Sequence, residues 1–150
     1  MSAAPYVAVV GAGGDVAPEV LAIAEAVGAE LARRGAVVVT GGLGGVMEAA
    51  CRGARRGGAV TLGILPGDDR AAANPFVAVA VATGLGELRN GLVVRSADAL
   101  IAIAGEHGTL SEIALALKAG KRVIAIRSWE IDGVRPARDA AEAVALALAR

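Results

Sequence analysis

Apolar runs of strand length alternate with longer alanine-rich stretches along the whole chain. The apolar runs are continuous, which is typical of strands covered on both faces in a parallel sheet. They predict strands over residues 6–10, 36–40, 59–65, 77–82, 99–104 and 123–126. The stretches between and after them predict helices over residues 16–34, 45–56, 86–97, 109–120 and 136–150. The segment 66–75 has no clear period and is predicted to be a loop.

This alternation predicts an α/β fold, a single Rossmann-like, doubly wound, mainly parallel sheet with helices on both faces. No internal repeat or low-complexity linker interrupts it, so we predict one domain over residues 1–150. Each helix begins at the carboxyl end of the preceding strand. The loops expected together at that edge are 11–15, 41–45, 83–89 and 105–109. Ligands of such sheets bind at this edge, near the point where the strand order reverses.

Composition narrows the classes of partner. Aromatic residues are only 2% of the chain against 55% hydrophobic, so the core must consist of small and branched aliphatic side chains. Fifteen basic residues balance fifteen acidic ones, so we expect neither a nucleic-acid nor a membrane partner. One cysteine excludes an internal disulfide, and one histidine with one cysteine is too little for a zinc site, so we predict no metal site. No apolar run reaches the ~18 residues of a membrane span, and no signal peptide is visible, so we expect a cytoplasmic protein.

The first glycine-rich corner is VVGAGGDV, residues 9–16. Gly11 and Gly13 fit a dinucleotide fingerprint, but Val16 stands where the third glycine is needed. The second predicted strand also ends without the acidic residue that would hold a ribose, so we do not expect conventional NAD binding. Two interpretations remain for this loop: a ligand-binding turn, or a tight turn that leads into a helix capped by Asp15.

The second corner is TGGLGGVMEAA, residues 40–50, with four glycines in five positions. Such a loop lets the backbone approach a ligand closely, and the helix that follows offers unpaired N–H groups and the positive end of its dipole. It predicts a phosphate-binding loop formed by Gly41, Gly42, Gly44 and Gly45. The alternative is a tight connection between strand and helix, although that needs fewer glycines.

The third corner is GEHGTLSE, residues 105–112, which contains the only histidine. Thr109 and Glu112 fit a capping box, in which Thr109 caps a helix and Glu112 reaches back to the N–H of the cap. That does not explain Gly105 and Gly108, which we predict to contribute to ligand binding with Thr109. His107 is interpreted as a loop residue rather than a general base.

These motifs together resemble those of the LOG ("lonely guy") proteins, long mislabelled as possible lysine decarboxylases. The signatures of that family are GGG-x-x-G-[LV]-M and P-G-G-x-G-T-x-x-E, preceded by R-K-A-x-M-x-x-x-A-D. The matching positions are Gly41, Gly42, Gly45 and Met47, then Gly105, Gly108, Thr109 and Glu112, with Arg89 upstream in RNGLVVRSAD. The resemblance covers about residues 6–126. It implies a phosphoribohydrolase that releases a base from a nucleoside 5′-monophosphate, with Arg89 and Glu112 as the catalytic pair.

The chain departs from these signatures at several positions. Ala104 replaces a proline, Glu106 and Glu48 replace glycines, and Asn90 replaces the lysine after the arginine. The short form resembles more closely a sister group of small bacterial Rossmann proteins. That group includes molybdenum-cofactor carriers and is distantly similar to the DNA-processing protein DprA.

Glu106 leaves several alternatives open at the third corner. Its carboxylate can repel a phosphate, fold back onto the anion site, point to solvent, or accept a hydrogen bond from a base or pterin. The glycines of the second corner are therefore the better predicted phosphate site.

We therefore predict a nucleotide-binding domain that holds a small phosphorylated ligand, a nucleoside monophosphate or the molybdenum cofactor, as a carrier or binding protein. Arg89 is expected to assist at the phosphate; the alternative is a surface arginine paired with Glu87 or Glu112. The rival function is the LOG-type hydrolase activity. DNA binding by analogy with DprA is a third possibility that the zero net charge disfavours. The apolar segments EIALALKAG and DAAEAVALALAR lead us to expect a homodimer or homotetramer.

Overall fold

The computed structural model describes residues 3–150. Within that range the chain forms one seven-stranded sheet in which every pairing is parallel, in the order β4-β3-β2-β1-β5-β6-β7. The strands are β1 (Tyr6–Val10), β2 (Val37–Thr40), β3 (Thr61–Leu65), β4 (Val79–Ala82), β5 (Ala99–Ile103), β6 (Arg122–Ile126) and β7 (Val134–Pro136). The predicted α/β class with a doubly wound parallel sheet is confirmed.

Helices cover both faces of the sheet. They are α1 (Pro18–Arg33), α2 (Val46–Arg56), α3 (Arg89–Ser96), α4 (His107–Lys118) and α5 (Ala140–Leu148), with short 3-10 turns at Arg70–Ala72 and Gly86–Leu88. Apolar residues of α1, α2 and α5 pack in one core cluster, and those of α3 and α4 pack in another. Among the helices of residues 3–150, none has the length and apolar character needed to cross a membrane.

The strand β1 shows why the apolar runs are continuous. Val7 and Val9 belong to the cluster beneath α1, α2 and α5, whereas Ala8 and Val10 belong to the cluster beneath α3 and α4. Successive side chains of a strand point to opposite faces, so a strand between two helical layers needs an apolar residue at every position.

Helices α1 and α2 pack through two glycines. A Cβ on Gly28 would lie 2.0 Å from the carbonyl oxygen of Ala50, and a Cβ on Gly53 would lie 2.0 Å from that of Glu25. The backbones therefore touch where a side chain would separate them. Arg52 and Arg56 of α2 add ion pairs to Glu25 of α1.

Several predicted boundaries were wrong. The helix predicted over 136–150 begins only at Ala140, because Asp139 caps it by accepting a hydrogen bond from the Glu142 N–H at 2.9 Å. The helix predicted over 86–97 is a 3-10 turn followed by α3. The helix predicted over 109–120 begins two residues earlier, at His107, and the three-residue strand β7 was not predicted.

Candidate functional site

A cavity of about 120 Å³ opens at the carboxyl ends of β1 and β2. The strand order reverses here, because β1 is flanked by β2 on one side and β5 on the other. We call it the Arg89 cavity. Its lining residues are Val9, Val10, Gly11, Ala12, Gly13, Gly41, Met47, Arg89, Asn90, Glu106, Gly108, Thr109 and Glu112.

The predicted site residues fall into two groups. Those that line the cavity together are Gly11, Gly13, Gly41, Arg89, Gly108, Thr109 and Glu112. Within the described part of the chain, four others lie outside its lining: Gly42, Gly44, Gly45 and Gly105. The structure therefore brings the three glycine-rich corners and the arginine to one place, but not every glycine that they contain.

Packing between the first two corners explains Gly44 and Gly45, which lie against Gly13 and Ala12. A Cβ on Gly45, whose φ is 64°, would lie 2.2 Å from the carbonyl oxygen of Ala12. The Val46 N–H, at the start of α2, donates to that same oxygen at 3.0 Å. Gly42 has a φ of 80°, and its N–H donates to the Thr40 hydroxyl at 3.0 Å. Part of the glycine-rich backbone that was predicted to bind a phosphate therefore already makes hydrogen bonds within the chain.

Arg89 begins α3, and its guanidinium reaches back across the strand ends. Its Nε donates to the carbonyl oxygen of Ile64 at 2.9 Å and its Nη2 to that of Gly41 at 3.3 Å. Its Nη1 donates to the Asn90 side chain. These bonds use three of the five N–H groups of a guanidinium, so two remain.

The identity of Gly41 follows from this arginine. A Cβ on Gly41 would lie 2.5 Å from Nη2 of Arg89, so the guanidinium packs directly on the glycine. The half-buried setting lowers the pKa of Arg89, against a smaller raising effect of Glu112. No ion pair within 4.0 Å joins Arg89 to Glu87 or Glu112, so the predicted alternative of a paired surface arginine is wrong.

Asn90 stands where the LOG signature has a lysine, and the structure shows that its side chain holds the arginine in place. It is buried, with its Oδ1 accepting from Arg89 and its Nδ2 donating to the Ser111 hydroxyl at 3.2 Å. Asn90 therefore links α3 to α4 beside the cavity. A lysine could not replace it, because an ammonium group offers no acceptor.

The start of α4 corrects the predicted capping box. Glu106, not Thr109, is the N-cap, and the Thr109 hydroxyl accepts a hydrogen bond from the Glu106 N–H at 3.3 Å. In return the Glu106 carboxylate accepts from the Thr109 N–H. The cap lies three residues earlier than predicted, so Glu112 has no part in it. Glu106 thus folds back onto the helix N-terminus, one of the alternatives left open.

Glu112 is free for another role. Its side chain is buried, with 7% exposed, and it lines the cavity without a hydrogen bond or ion pair to any residue in 3–150. Burial raises its pKa to about 7, and nearby Arg89 only partly opposes this rise. Near neutral pH its carboxyl group is therefore both a potential donor and a potential acceptor.

Two further observations limit the chemistry. His107 is an exposed residue of the first turn of α4 and does not line the Arg89 cavity. Within residues 3–150, no group of three or more histidine, cysteine, aspartate or glutamate side chains is placed to bind a metal ion.

Comparison with known proteins gives consistent matches over nearly the whole chain. The model of the SLOG cluster4 family matches residues 4–148. An uncharacterized protein of Archaeoglobus fulgidus is 43% identical over 139 residues, which are 92% of this chain and 91% of that protein.

Solved structures agree with these matches. The molybdenum cofactor binding protein of the phototrophic bacterium Rippkaea orientalis is 34% identical with a TM-score of 0.91, over 97% of this chain and 96% of that chain. The molybdenum cofactor carrier protein of Chlamydomonas reinhardtii is 33% identical with a TM-score of 0.86, over 95% of each chain. DprA of Streptococcus pneumoniae is 19% identical with a TM-score of 0.76, over 95% of this chain and 61% of that chain, a likeness of fold alone.

Proposed function

Because the chain belongs to the SLOG cluster4 family, we propose that it is a binding or carrier protein for a phosphorylated pterin-type cofactor or nucleotide. The molybdenum cofactor is such a pterin. We further propose that residues 1–150 act as one domain in this role. The proposal draws support from two aligned structures, the protein of Rippkaea orientalis, described as binding the molybdenum cofactor, and that of Chlamydomonas reinhardtii, described as its carrier.

The observation that carries the proposal is that Arg89 and Glu112 line the same cavity without forming an ion pair with each other. The two N–H groups that remain on Arg89 suit a phosphate oxygen, since guanidinium–phosphate hydrogen bonds are charge-assisted. When protonated, Glu112 can donate its O–H to a second oxygen. When ionised, it repels the phosphate, so its raised pKa favours binding of an anion near and below neutral pH.

The size of the cavity fits the phosphate end of such a ligand. Pockets that enclose a small molecule occupy about 300–1,000 Å³, whereas the Arg89 cavity has about 120 Å³. The ring of a pterin or purine must therefore extend beyond it along the edge of the sheet. A ligand held at one end suits a protein that passes its ligand on.

Calorimetric titration with AMP and with a pterin that bears a phosphate monoester tests this function. We expect saturable binding that Arg89→Gln weakens at least about tenfold, through loss of the charged donor. The matched control is Arg95→Gln, which removes an exposed arginine from the last turn of the same helix and should leave affinity unchanged. Absence of binding to wild type, or equal effects of the two variants, would contradict the proposal.

One observation supports the hydrolase as a second candidate. A buried carboxyl group with a pKa near 7 is suited to proton transfer, and Glu112 has this property beside Arg89. Incubation with nucleoside 5′-monophosphates separates the two functions. A carrier releases no base; turnover that is lost in Glu112→Gln, with ligand affinity kept, would establish the hydrolase.

A further inference from the structure

A second cavity lies along the same edge, at the carboxyl ends of β5 and β6. It has a volume of about 290 Å³ and is lined by Ala104, Gly105, Arg127, Ser128 and Trp129. We call it the Trp129 cavity. It shares no lining residue with the Arg89 cavity.

Two residues with left-handed backbone and two hydrogen bonds define the floor of this cavity. The last paired residues of β5 and β6 are Ile103 and Ile126, and each is followed by a residue with a left-handed backbone, Ala104 with φ 48° and Arg127 with φ 53°. The Ala104 N–H donates to the carbonyl oxygen of Ile126 at 2.9 Å, and the Ser128 hydroxyl donates to that of Ala104 at 2.8 Å. Left-handed residues other than glycine are uncommon and concentrate at functional sites.

The side chains that border this floor are suited to a flat, polar ring. Trp129 is the only tryptophan of the chain and is partly exposed, while it packs against the core cluster under α3 and α4. Arg127 is exposed and makes no ion pair with any residue in 3–150. An indole and a guanidinium both stack on aromatic heterocycles, and the indole N–H, which has no partner in that range, is a free donor.

The loop 104–108 connects the two cavities. Ala104 and Gly105 line the Trp129 cavity, and Glu106 and Gly108 line the Arg89 cavity. A ligand with an anionic end and a flat ring can therefore contact both by crossing the first turn of α4. The ring that the smaller cavity cannot enclose has a place at the larger one.

We propose that Arg127 and Trp129 form the subsite for the planar nitrogen heterocycle, a pterin or purine ring, of a ligand whose phosphate occupies the Arg89 cavity. This inference rests on the proposed function. It adds which residues select the flat part of the ligand, and it assigns that selection to stacking rather than to a base-specific set of hydrogen bonds.

The single tryptophan makes the test direct, because protein fluorescence then reports on this cavity. Titration with the pterin phosphate should quench the emission of Trp129 with the same midpoint as the calorimetric binding curve. Inorganic phosphate, which has no ring, should leave the emission unchanged. N-acetyltryptophanamide at equal ligand concentrations corrects for light absorbed by the pterin.

Substitutions of Trp129 and Arg127 test the subsite independently of fluorescence. Stacking of one base on an aromatic side chain contributes about 1–3 kcal/mol to binding. Trp129→Ala removes the stacking surface, so it should weaken binding of the pterin phosphate by about tenfold. Trp129→Phe keeps a stacking surface and should retain most of the affinity. Arg127→Gln should weaken binding several-fold, whereas Arg135→Gln, an exposed arginine of β7, should not.

Failure of this inference and failure of the proposed function give different results. Binding that depends on Arg89 but leaves the Trp129 emission and the Trp129 variants unaffected would overturn the subsite and keep the function. If neither AMP nor the pterin phosphate binds, both the subsite and the proposed function are overturned.

Discussion

Glu112 lies in the second turn of α4, where its buried carboxyl group has a pKa of about 7 against an ordinary value of 4.5. The folded state therefore keeps a proton that the unfolded chain releases. The free energy of unfolding should fall as pH rises between these two values, by about 3 kcal/mol in full. We expect Glu112→Gln to remove this fall, so that the variant gains stability over wild type on going from about pH 5 to about pH 8.

Denaturant unfolding at several pH values measures the difference between variant and wild type. Glu87→Gln, which alters an exposed carboxylate just before α3, serves as the control and should follow the wild-type pH profile. A Glu112→Gln profile parallel to that of wild type would mean that the carboxyl group is ionised throughout this range.

Gly41 offers a second prediction at the scale of single residues. An added Cβ would collide with the Arg89 guanidinium and the Met47 sulfur, both at the flexible ends of side chains. Gly41→Ala should therefore displace Arg89 and weaken ligand binding about as much as Arg89→Gln, while it costs only about 1–2 kcal/mol of stability. Gly14→Ala, where nothing lies within 4 Å of the new Cβ, is the matched control. Unchanged affinity in Gly41→Ala would show that the position of the guanidinium does not govern binding.

At the level of helices, glycine-to-alanine substitution is predicted to have opposite effects on stability in α2, which packs closely on α1, and in α3. Gly53→Ala forces a Cβ to within 2.0 Å of the Glu25 carbonyl, so it should destabilise the fold by about 3 kcal/mol or more. Gly91→Ala in α3 meets nothing within 4 Å. It should stabilise by roughly 0.5–1 kcal/mol, because alanine loses less backbone entropy in a helix. Thermal unfolding of both variants checks the pair; similar losses would show that α3 does not tolerate a side chain at this position.

The elements also show what the sequence could predict. The six longer strands could be predicted because each lies in a mainly apolar run. The strand β7 could not, because it has only three residues and one of them is a proline. The start of α4 was misjudged because two overlapping pairs can form a capping box. Thr109 with Glu112 matches the usual order of residue types, while the structure uses Glu106 with Thr109 in the reverse order.

The candidate site was predictable to the level of the sheet edge and no further. Strand-then-helix order places the three glycine corners together, as the Arg89 cavity shows. Which glycines face a ligand depends on contacts between loops distant in sequence, such as Gly45 against Ala12. The same limit hid Asn90 and Trp129, whose neighbours are set by tertiary packing.

At the scale of the whole molecule, the structure changes the basis for expecting an oligomer. The apolar residues of α5 do not form a free face, because Ala143, Val144 and Ala147 are buried against the core. Two exposed leucines, Leu88 and Leu115, instead line a groove between the start of α3 and α4, and all exposed leucines of residues 3–150 fall in these two segments. They are Leu85, Leu88, Leu92 and Leu115.

Leu88 is the most exposed of them, at 78%, and lines that groove with Leu115. Covering such a patch with a second copy removes apolar surface from water, so we expect wild-type protein to have a mass in solution that is a multiple of 14.8 kDa. Leu88→Asp places a charge in the patch and should shift the mass measured by light scattering toward the monomer. Val60→Asp, which alters a half-exposed valine outside this groove, should not. A wild-type monomer would refute the expected assembly, whereas an oligomer that resists Leu88→Asp would place the interface elsewhere on the molecule.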